Sequence, residues 1–409
     1  MAVLRSFRAL RPRPDLASEV ASVPYDVVDT TEARELAAGN PHSFLHVVRP
    51  EIDLPPETDI YDDEVYAQAP RALERLVEQG SLVRDAEKAL YLYRQIMGDH
   101  AQIGVVGCAS VDEYDQDLIK KHEKTRPDKE DDRTRHVLTL CAHAGPVFLT
   151  YRGTARIDAV IDSVTSTEAP LYDFVAVDGV AHTVWRVPDS VELEKAFQEV
   201  PALYVADGHH RAASASRARA ARREQAESFS GEEEVNFFLT VLFPGEQLKI
   251  LPYNRVVRDL FGASRAEFLE RLREVMKVTP GGPPSPDHKG AFSIYVGGEW
   301  FQVEAPPEAI EADHPVESLD AAILQERVLG PILGIENPQT STRIDFVGGI
   351  RGTDELARRV RDHGGGVAFS LFPLSVGELL AVADAGLVLP PKSTWFEPKL
   401  RSGLLIHEF

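Results

Sequence analysis

The chain has 409 residues, 43% of them hydrophobic, which is enough to bury a sizeable core and predicts two or three domains. Its 44 lysines and arginines and 65 acidic residues give a formal net charge of -21, which argues against nucleic-acid or anionic-membrane partners. The two cysteines, Cys108 and Cys141, make no disulfide framework, and no apolar run approaches the ~18 residues of a membrane span. We therefore expect a soluble cytoplasmic protein.

Predicted elements begin with a helix at residues 30–38. Thr30 or Thr31 would cap it, and acidic residues occupy its first turn. The other elements predicted in the first 110 residues are a strand with a proline-rich loop (40–59), a helix (61–79) and two paired strands (89–96 and 102–110).

The same alternation of strands and helices continues to the end of the chain. A Gly-Gly turn predicts a hairpin in residues 291–304, and the proline- and glycine-rich residues 279–290 predict a linker. Further strands are predicted at 145–151, 181–188, 235–244, 344–347 and 367–371, and helices at 134–142, 191–200, 265–275, 321–329, 354–362 and 376–385. The predicted fold class is therefore mixed α/β (α+β).

Five residues, Asp207, Gly208, His209, His210 and Arg211, separate an apolar run from an alanine-rich run. The runs predict a strand that ends at Asp207 and a helix that begins directly after it. A helix N-terminus presents unpaired N–H groups and a positive dipole end, which bind anions. Arg211 can bind a phosphate bidentately, and Asp207 suits such a site if it holds Mg²⁺. The alternatives are a capped helix start with solvent-facing histidines, and a zinc site.

A second polar group, residues 120–126, places Glu123 among four lysines and arginines. Surrounding cations should keep this carboxylate ionised, and an ionised carboxylate can accept a proton from an attacking hydroxyl. The alternative is a solvated, charged helix.

A third polar group follows two prolines near the end of the chain. Lys392, Ser393 and Thr394 offer an ammonium and two hydroxyls, which suit a phosphate or a substrate carboxylate. The alternative is a capped turn beside a buried Trp395.

Three segments in this order resemble one protein family. The block "YVADGHHRAASA" is similar to the Asp-Gly-His-His-Arg motif of the archaeal ADP-dependent free L-serine kinases. His122-Glu123 resembles the upstream His-Glu pair of these kinases, and Pro391-Lys392-Ser393-Thr394 resembles their C-terminal Pro-Lys-Thr-Thr segment. Over its full length the chain resembles a large family of uncharacterised bacterial proteins marked by the blocks "HEKTRPDKEDDRTRH" and "ADGHHR".

The kinase resemblance implies a ParB/sulfiredoxin-like fold for the catalytic core. We therefore expect three parts: an N-terminal α/β extension (1–110), a ParB/sulfiredoxin-like nucleotide-binding core (111–278) and a C-terminal α/β domain that completes the active site (279–409).

The resemblance also implies a role for each group. His122 and Glu123 would belong to the catalytic set, with Glu123 as the base, and Asp207 would be catalytic and hold Mg²⁺. Nucleotide phosphates would be bound by the turn and the C-terminal lysine, that is by Gly208, His209, His210, Arg211 and Lys392. Ser393 and Thr394 would bind the substrate.

The function expected is therefore a kinase that transfers a phosphoryl group from ADP or ATP to the hydroxyl of a free amino acid, most simply L-serine. Such transfer needs positioning and charge neutralisation more than covalent chemistry. The alternatives are a ParB-like switch that binds CTP or ATP without catalysis, a sulfiredoxin-like redox enzyme and a metal-dependent hydrolase. The sequence leaves the oligomeric state open.

Overall fold

The computed structural model describes residues 2–310 and 313–409. Strands and helices alternate along these residues, which confirms the mixed α/β fold class. Two compact units result: residues 2–248 with Pro398–Phe409, and Lys249–Glu397. These boundaries differ from the predicted ones, because strands from both sides of residue 110 share one sheet.

The β-strands are short, and most of them lie in two sheets. In chain order the described residues form β1 (Leu4–Arg5), β2 (Ala9–Pro12), β3 (Leu82–Arg84), β4 (Tyr91–Met97), β5 (His100–Ser110), β6 (Ile119–Lys120), β7 (Ala142–His143), β8 (Val147–Tyr151), β9 (Tyr172–Val175), β10 (Ala181–Arg186), β11 (Leu203–Asp207), β12 (Phe237–Pro244), β13 (Lys249–Leu251), β14 (Tyr253–Val257), β15 (Lys277–Pro280), β16 (Ala291–Val296), β17 (Glu299–Glu304), β18 (Ile344–Gly348), β19 (Val367–Leu371), β20 (Trp395–Glu397) and β21 (Ile406–Glu408).

The α-helices connect these strands. In the described residues they are α1 (Ala17–Val20), α2 (Thr30–Ala37), α3 (Leu45–Val48), α4 (Asp63–Glu78), α5 (Val111–Asp115), α6 (Pro127–Leu140), α7 (Ala155–Thr167), α8 (Val191–Phe197), α9 (His209–Gln225), α10 (Arg265–Val275), α11 (Pro307–Ile310), α12 (Asp320–Leu324), α13 (Gly352–Asp362) and α14 (Val376–Asp384).

The main sheet of the first unit has nine strands in the order β6-β11-β8-β12-β5-β4-β10-β9, with β1 also paired to β5. Strands β8 and β12 are buried along their whole length, as expected for central strands. Apolar residues of α7, α8 and α9 join those of the sheet in one buried cluster. A second, four-stranded sheet in this unit has the order β3-β2-β21-β7.

The second unit is built on a six-stranded antiparallel sheet in the order β15-β17-β16-β19-β14-β18. Apolar residues of α10 pack in one buried cluster with this sheet. Leu356, Ala357 and Val360 of α13 pack in another, with Val256 of β14 among its members. The apolar side chains of α10 and α13 thus pack against the sheet in two separate clusters.

Several predicted elements differ from those observed. The predicted strand in residues 40–59 is wrong: the segment forms α3, because its short apolar run packs against α4. Helix α2 is capped by Asp29, whose carboxylate accepts from the Glu32 N–H, and not by Thr30 or Thr31. Residues 279–290 are no linker between units: they begin in β15, and the Ser293 hydroxyl donates to the Pro283 carbonyl at 2.8 Å.

Among the described residues, none of the helices combines the length and the apolar character needed to cross a bilayer.

Candidate active site

The turn at residues 207–209 connects the largely buried strand β11 to helix α9 in the first unit. Strand β11 pairs with β8 on one side and with β6 on the other, and its register with β8 shifts between Val205 and Asp207. Gly208 has φ of +95°, a left-handed conformation that favours glycine. A Cβ at Gly208 would lie 3.2 Å from Arg211 Nε. The predicted strand, turn and helix are confirmed, and the N-terminus of α9 lies directly after Asp207.

Small residues hold this helix against the rest of the unit. Ala212, Ala213, Ala215 and Ala218 are all buried, and their short side chains permit close approach. The helix is 17 residues long, so its N-terminus carries the full partial charge of a long helix dipole.

Asp207 forms an ion pair with Lys399. Lys399 Nζ donates to Asp207 Oδ2 at 2.9 Å, and their side chains are 15% and 29% exposed, the lysine being the more buried. Burial alone would raise the pKa of Asp207, but Lys399 and Arg211 outweigh it and hold the pKa below its usual range. Asp207 is therefore an ionised carboxylate at the start of α9.

His122 and His209 form a buried pair of rings beside this ion pair. Strand β6 runs parallel to β11, and this pairing brings residue 122 next to the turn. The ring centroids are 4.4 Å apart at an interplanar angle of 78°. The backbone N–H of His122 donates to His209 Nε2 at 3.5 Å. Both ring nitrogens of His122 are buried without a hydrogen-bond partner among the described residues.

Burial decides the charge of both rings. It lowers the pKa of His122 to about 4, although Asp207 acts in the opposite direction. Burial also lowers the pKa of His209 well below its usual value, and the neighbouring His122 adds to the effect. At neutral pH the two imidazoles are uncharged, so they can each donate and accept a proton in hydrogen bonds.

Glu123 lies beside the buried histidine pair, on its solvent-exposed side. Its Oε2 is 3.7 Å from His209 Nδ1, and its side chain is 41% exposed. His210 Nε2 accepts a hydrogen bond from the Arg126 N–H at 3.1 Å. The His-Glu segment and the Asp-Gly-His-His-Arg turn, which are far apart in the sequence, therefore lie together.

The segment that carries Glu123 is a loop and not the charged helix considered as the alternative. Strand β6 ends at Lys120, and α6 begins at Pro127. Lys121 is engaged elsewhere, since its Nζ pairs with Asp117 at 2.6 Å. Because the segment is a loop, the direction of the Glu123 side chain is not set by helical geometry.

Arg211 lines a cavity that is partly open to solvent, with about 510 Å³ of empty space including the solvent at its entrance. Its guanidinium donates to the Pro146 carbonyl, while its Nε is buried without a partner among the described residues. Arg133 and His136 line the same cavity. Burial lowers the pKa of His136 to about 4 and that of His143, which also lines the cavity, to about 3. Arg133 and Arg211 therefore carry the positive charge of this cavity.

Lys392, Ser393 and Thr394 belong to the second unit, and the contacts described for them lie within it. Lys392 has φ of +56°, and its Nζ lies 5.6 Å from the centre of the Tyr253 ring. The Ser393 hydroxyl donates to the Pro390 carbonyl at 2.6 Å. Thr394 directly precedes β20.

Lys399, the lysine that pairs with Asp207, was not predicted from the sequence. The Lys399 carbonyl accepts from Gln95 Nε2 at 2.9 Å, and Arg401 pairs with Asp178, so the tail is anchored on both sides of Leu400. One sequence feature indicates it: Pro398-Lys399 repeats the Pro-Lys dipeptide found at Pro391-Lys392.

The cysteines lie outside this group. Cys108 is buried in β5, and burial raises the pKa of its thiol well above the usual value. Cys141 follows α6, and its Sγ lies 2.7 Å from a guanidinium nitrogen of Arg222 near the end of α9. Neither arrangement places a reactive thiol at the turn.

Comparisons with solved structures give likenesses of low score. A free serine kinase variant in complex with AMP is 13% identical, with a TM-score of 0.35, and 74% of this chain is aligned with 92% of that one. SbnI with a C-terminal truncation, from Staphylococcus aureus, is 13% identical with a TM-score of 0.40, over 74% and 86% of the two chains. A conserved hypothetical protein from Pyrococcus furiosus is 15% identical with a TM-score of 0.33, over 74% and 94%.

TM-scores below 0.5 leave the function to be argued from the site itself. No curated protein matches the chain in sequence. The profile of one family, described as protein of unknown function (DUF1015), matches residues 4–322. This match spans most of the sequence, and the chain belongs to the DUF1015 family.

Proposed function

We propose that the protein is a phosphotransferase that moves a phosphoryl group from ADP or ATP to the hydroxyl of a free amino acid, with L-serine as the first acceptor to test. One observation carries the proposal: the Glu123 carboxylate lies 3.7 Å from His209, at a helix N-terminus that also holds the Asp207–Lys399 pair. A base and an anion-binding turn with a neighbouring ammonium suit phosphoryl transfer, which depends on positioning and on neutralisation of phosphate charge.

The turn would bind the nucleotide phosphates. The first N–H groups of α9 lack intrahelical partners by geometry, and Gly208 lets a phosphate approach the backbone closely. Arg211, His209 and His210 would add donors, and Lys399 places an ammonium beside the same turn. We also propose that the part of the chain that binds the nucleotide has a ParB/sulfiredoxin-like fold.

Glu123 would act as the general base. The acceptor oxygen forms a bond to the transferred phosphorus, its proton passes to a Glu123 carboxylate oxygen, and the bond from phosphorus to the bridging oxygen of the nucleotide breaks. The nucleotide then leaves with one phosphate fewer. Neutral His122 and His209 suit this role, because a charged imidazole beside Glu123 would weaken it as a base.

A Mg²⁺ ion fits this site only as a partner of the phosphates. Asp207 is the carboxylate of the turn, and its Oδ2 already accepts from Lys399. Among residues 2–310 and 313–409, no three His, Cys, Asp or Glu side chains form a metal-binding group. Mg²⁺ commonly takes one or two carboxylates plus substrate phosphates, and in that mode Asp207 would hold it and the ion would neutralise phosphate charge.

Lys392, Ser393 and Thr394 remain in the proposal as groups that bind phosphate or the amino-acid end of the acceptor. Replacement of Lys392 by methionine should then raise the KM for nucleotide or acceptor. An unchanged KM for both would remove Lys392 from the site, and the same assay on Ser393→Ala and Thr394→Val tests the other two residues.

The test is an assay for O-phosphoserine formation from ADP or ATP, L-serine and Mg²⁺, together with nucleotide binding by calorimetry. Glu123→Gln should lower turnover by about a hundredfold or more while nucleotide Kd stays unchanged. Glu168→Gln, at an exposed position after α7, is the matched control and should leave both unchanged.

Other results would favour the alternatives. Near-wild-type turnover in Glu123→Gln would show that the role given to Glu123 is wrong. Nucleotide binding without turnover on any hydroxy amino acid would favour a switch, and Mg²⁺-dependent nucleotide hydrolysis without an acceptor would favour a hydrolase. If no nucleotide binds, the phosphotransferase proposal fails.

A further inference from the structure

A cavity within the second unit carries two buried groups of opposite charge that lack a matching partner. The empty space within its lining residues amounts to about 410 Å³, a volume that includes open solvent at its entrance. Arg255 of β14 and Asp320 at the start of α12 both line it, and they are only 3% and 8% exposed. Buried charges are normally paired, so each of these groups needs an explanation.

Arg255 has no carboxylate partner among the described residues. Its guanidinium donates to two backbone carbonyls, those of Tyr253 and, at 3.3 Å, Pro391. Burial lowers the pKa of Arg255 to about 10, as expected for a cation without a neighbouring anion. A ligand carboxylate in the cavity would supply that anion.

Asp320 uses only one of its carboxylate oxygens. Oδ1 accepts from the Gly290 N–H at 2.8 Å, while Oδ2 is buried without a hydrogen-bond partner among the described residues. Burial raises the pKa of Asp320 to about 7, which means that no cation close by compensates its charge fully. A ligand ammonium at Oδ2 would do so.

The other charged groups of the cavity already satisfy each other. Lys289 Nζ pairs with Glu378 at 2.6 Å. Glu378 also accepts from the backbone N–H of Ser375, the residue that caps the N-terminus of α14. The remaining wall is largely apolar, with Leu319, Leu371 and Leu374 among its residues. The cavity thus offers one cation, one carboxyl group that a ligand ammonium would hold in its ionised form, and an apolar surface.

We propose that this cavity is a binding site for a free aliphatic α-amino acid, whose carboxylate pairs with Arg255 and whose ammonium pairs with Asp320 Oδ2. The apolar wall receives the side chain. The site lies wholly in the second unit. Ser393, which the phosphotransferase proposal assigns to the acceptor, also lines it, but the pairing with Arg255 and Asp320 does not depend on that proposal.

The experiment is calorimetry on the full-length protein without nucleotide. L-Leucine is the probe, and its two comparators each lack one charge: isopentylamine lacks the carboxylate, and 4-methylpentanoate lacks the ammonium. We expect L-leucine to bind, and each comparator to bind at least about tenfold more weakly. Equal binding of all three, or no binding of L-leucine, would overturn the proposal.

Variants assign the binding to this cavity. Arg255→Met and Asp320→Asn should each weaken L-leucine binding by about tenfold or more, and Asp320→Asn keeps the Oδ1 acceptor for Gly290. Arg258→Met, just after the same strand and in an exposed ion pair with Asp345, is the matched control. Circular dichroism establishes that each variant is folded.

A variant of the first unit separates the two proposals. Asp207→Asn should leave L-leucine binding unchanged. If Asp207→Asn abolishes the binding and both cavity variants retain it, the amino acid binds in the first unit and the inference is wrong. If L-leucine binds as expected but no nucleotide does, the phosphotransferase proposal fails while this one stands.

Discussion

Lys399 Nζ lies 2.9 Å from Asp207 Oδ2, and the contact joins residues 192 positions apart in the sequence. The pair brings the tail of the chain to the start of α9. Its carboxylate has a depressed pKa, so the stabilisation it gives is present above the usual carboxyl pKa and is lost as the pH falls through the folded-state value.

We expect Lys399→Met to lower the free energy of unfolding of the first unit by about 1.5–3 kcal/mol at pH 7, because Asp207 keeps its charge and loses its donor. The loss should be smaller at pH 3.5, where Asp207 in the unfolded chain is largely protonated. Urea unfolding at both pH values measures it, and Lys399→Arg is the control that keeps the charge. An equal loss at both pH values would contradict the prediction.

Trp185 provides the reporter for such measurements. The chain has three tryptophans, and Trp300 and Trp395 lie in the second unit. With those two replaced by phenylalanine, fluorescence follows the first unit alone. Its unfolding can then be compared between variants without interference from the second unit.

The buried His122 predicts acid sensitivity between pH 6.5 and 4. Its folded-state pKa of about 4 lies below the usual value of 6.5, so the unfolded chain binds more protons in that window. The stability from keeping this ring neutral is present above pH 6.5 and is lost as the pH falls toward 4. His122→Gln should reduce the pH slope of the free energy of unfolding by up to about 1.4 kcal/mol per pH unit. An unchanged slope would contradict the neutral buried ring.

Gly208→Ala should both strain the turn and disturb Arg211. The left-handed φ costs a side chain about 1–2 kcal/mol, and the new Cβ would lie 3.2 Å from Arg211 Nε. Gly179→Ala is the control, because Gly179 has φ of +81° and a Cβ at that position would meet no atom within 4 Å. Both variants should lose stability, whereas only Gly208→Ala should weaken nucleotide binding. Equal nucleotide affinity in the two variants would argue against a phosphate at the turn.

Arg211→Lys tests the planar guanidinium. A lysine keeps the charge and loses bidentate geometry, so nucleotide Kd should rise by about tenfold. Arg219→Lys, on the same helix and paired with Asp112 and Asp115, should leave Kd unchanged. Titration calorimetry with ADP and ATP distinguishes the two results, and similar affinities in both variants would exclude Arg211 as a phosphate ligand.

The parts of the fold predicted from sequence are those set by neighbouring residues. The hairpin β16-β17 follows from its Gly-Gly turn, and α10 follows from its helical period, so both were predicted with the observed bounds. Residues 40–59 show the limit, because a short apolar run fits a helix or a strand and packing on α4 decides between them.

In the candidate site, too, features set by adjacent residues were predicted and contacts between distant residues were not. The turn at Asp207 was predicted because strand, glycine and helix are adjacent in the sequence. Its proximity to Glu123 depends on the parallel pairing of β6 with β11, which local patterns do not encode. The Lys399 contact depends on the return of the tail after the whole second unit, and no local pattern reports such a return.

This return of the tail also sets an order of events during synthesis. Lys399 leaves the ribosome 192 residues after Asp207, a delay on the order of 10–40 s at ordinary rates of translation. Strand β21, which pairs with β2 near the other end of the chain, emerges later still. The nascent first unit therefore waits without the Lys399 ammonium until the intervening unit has been made, and the turn acquires this charge only as one of the last contacts of the newly made protein.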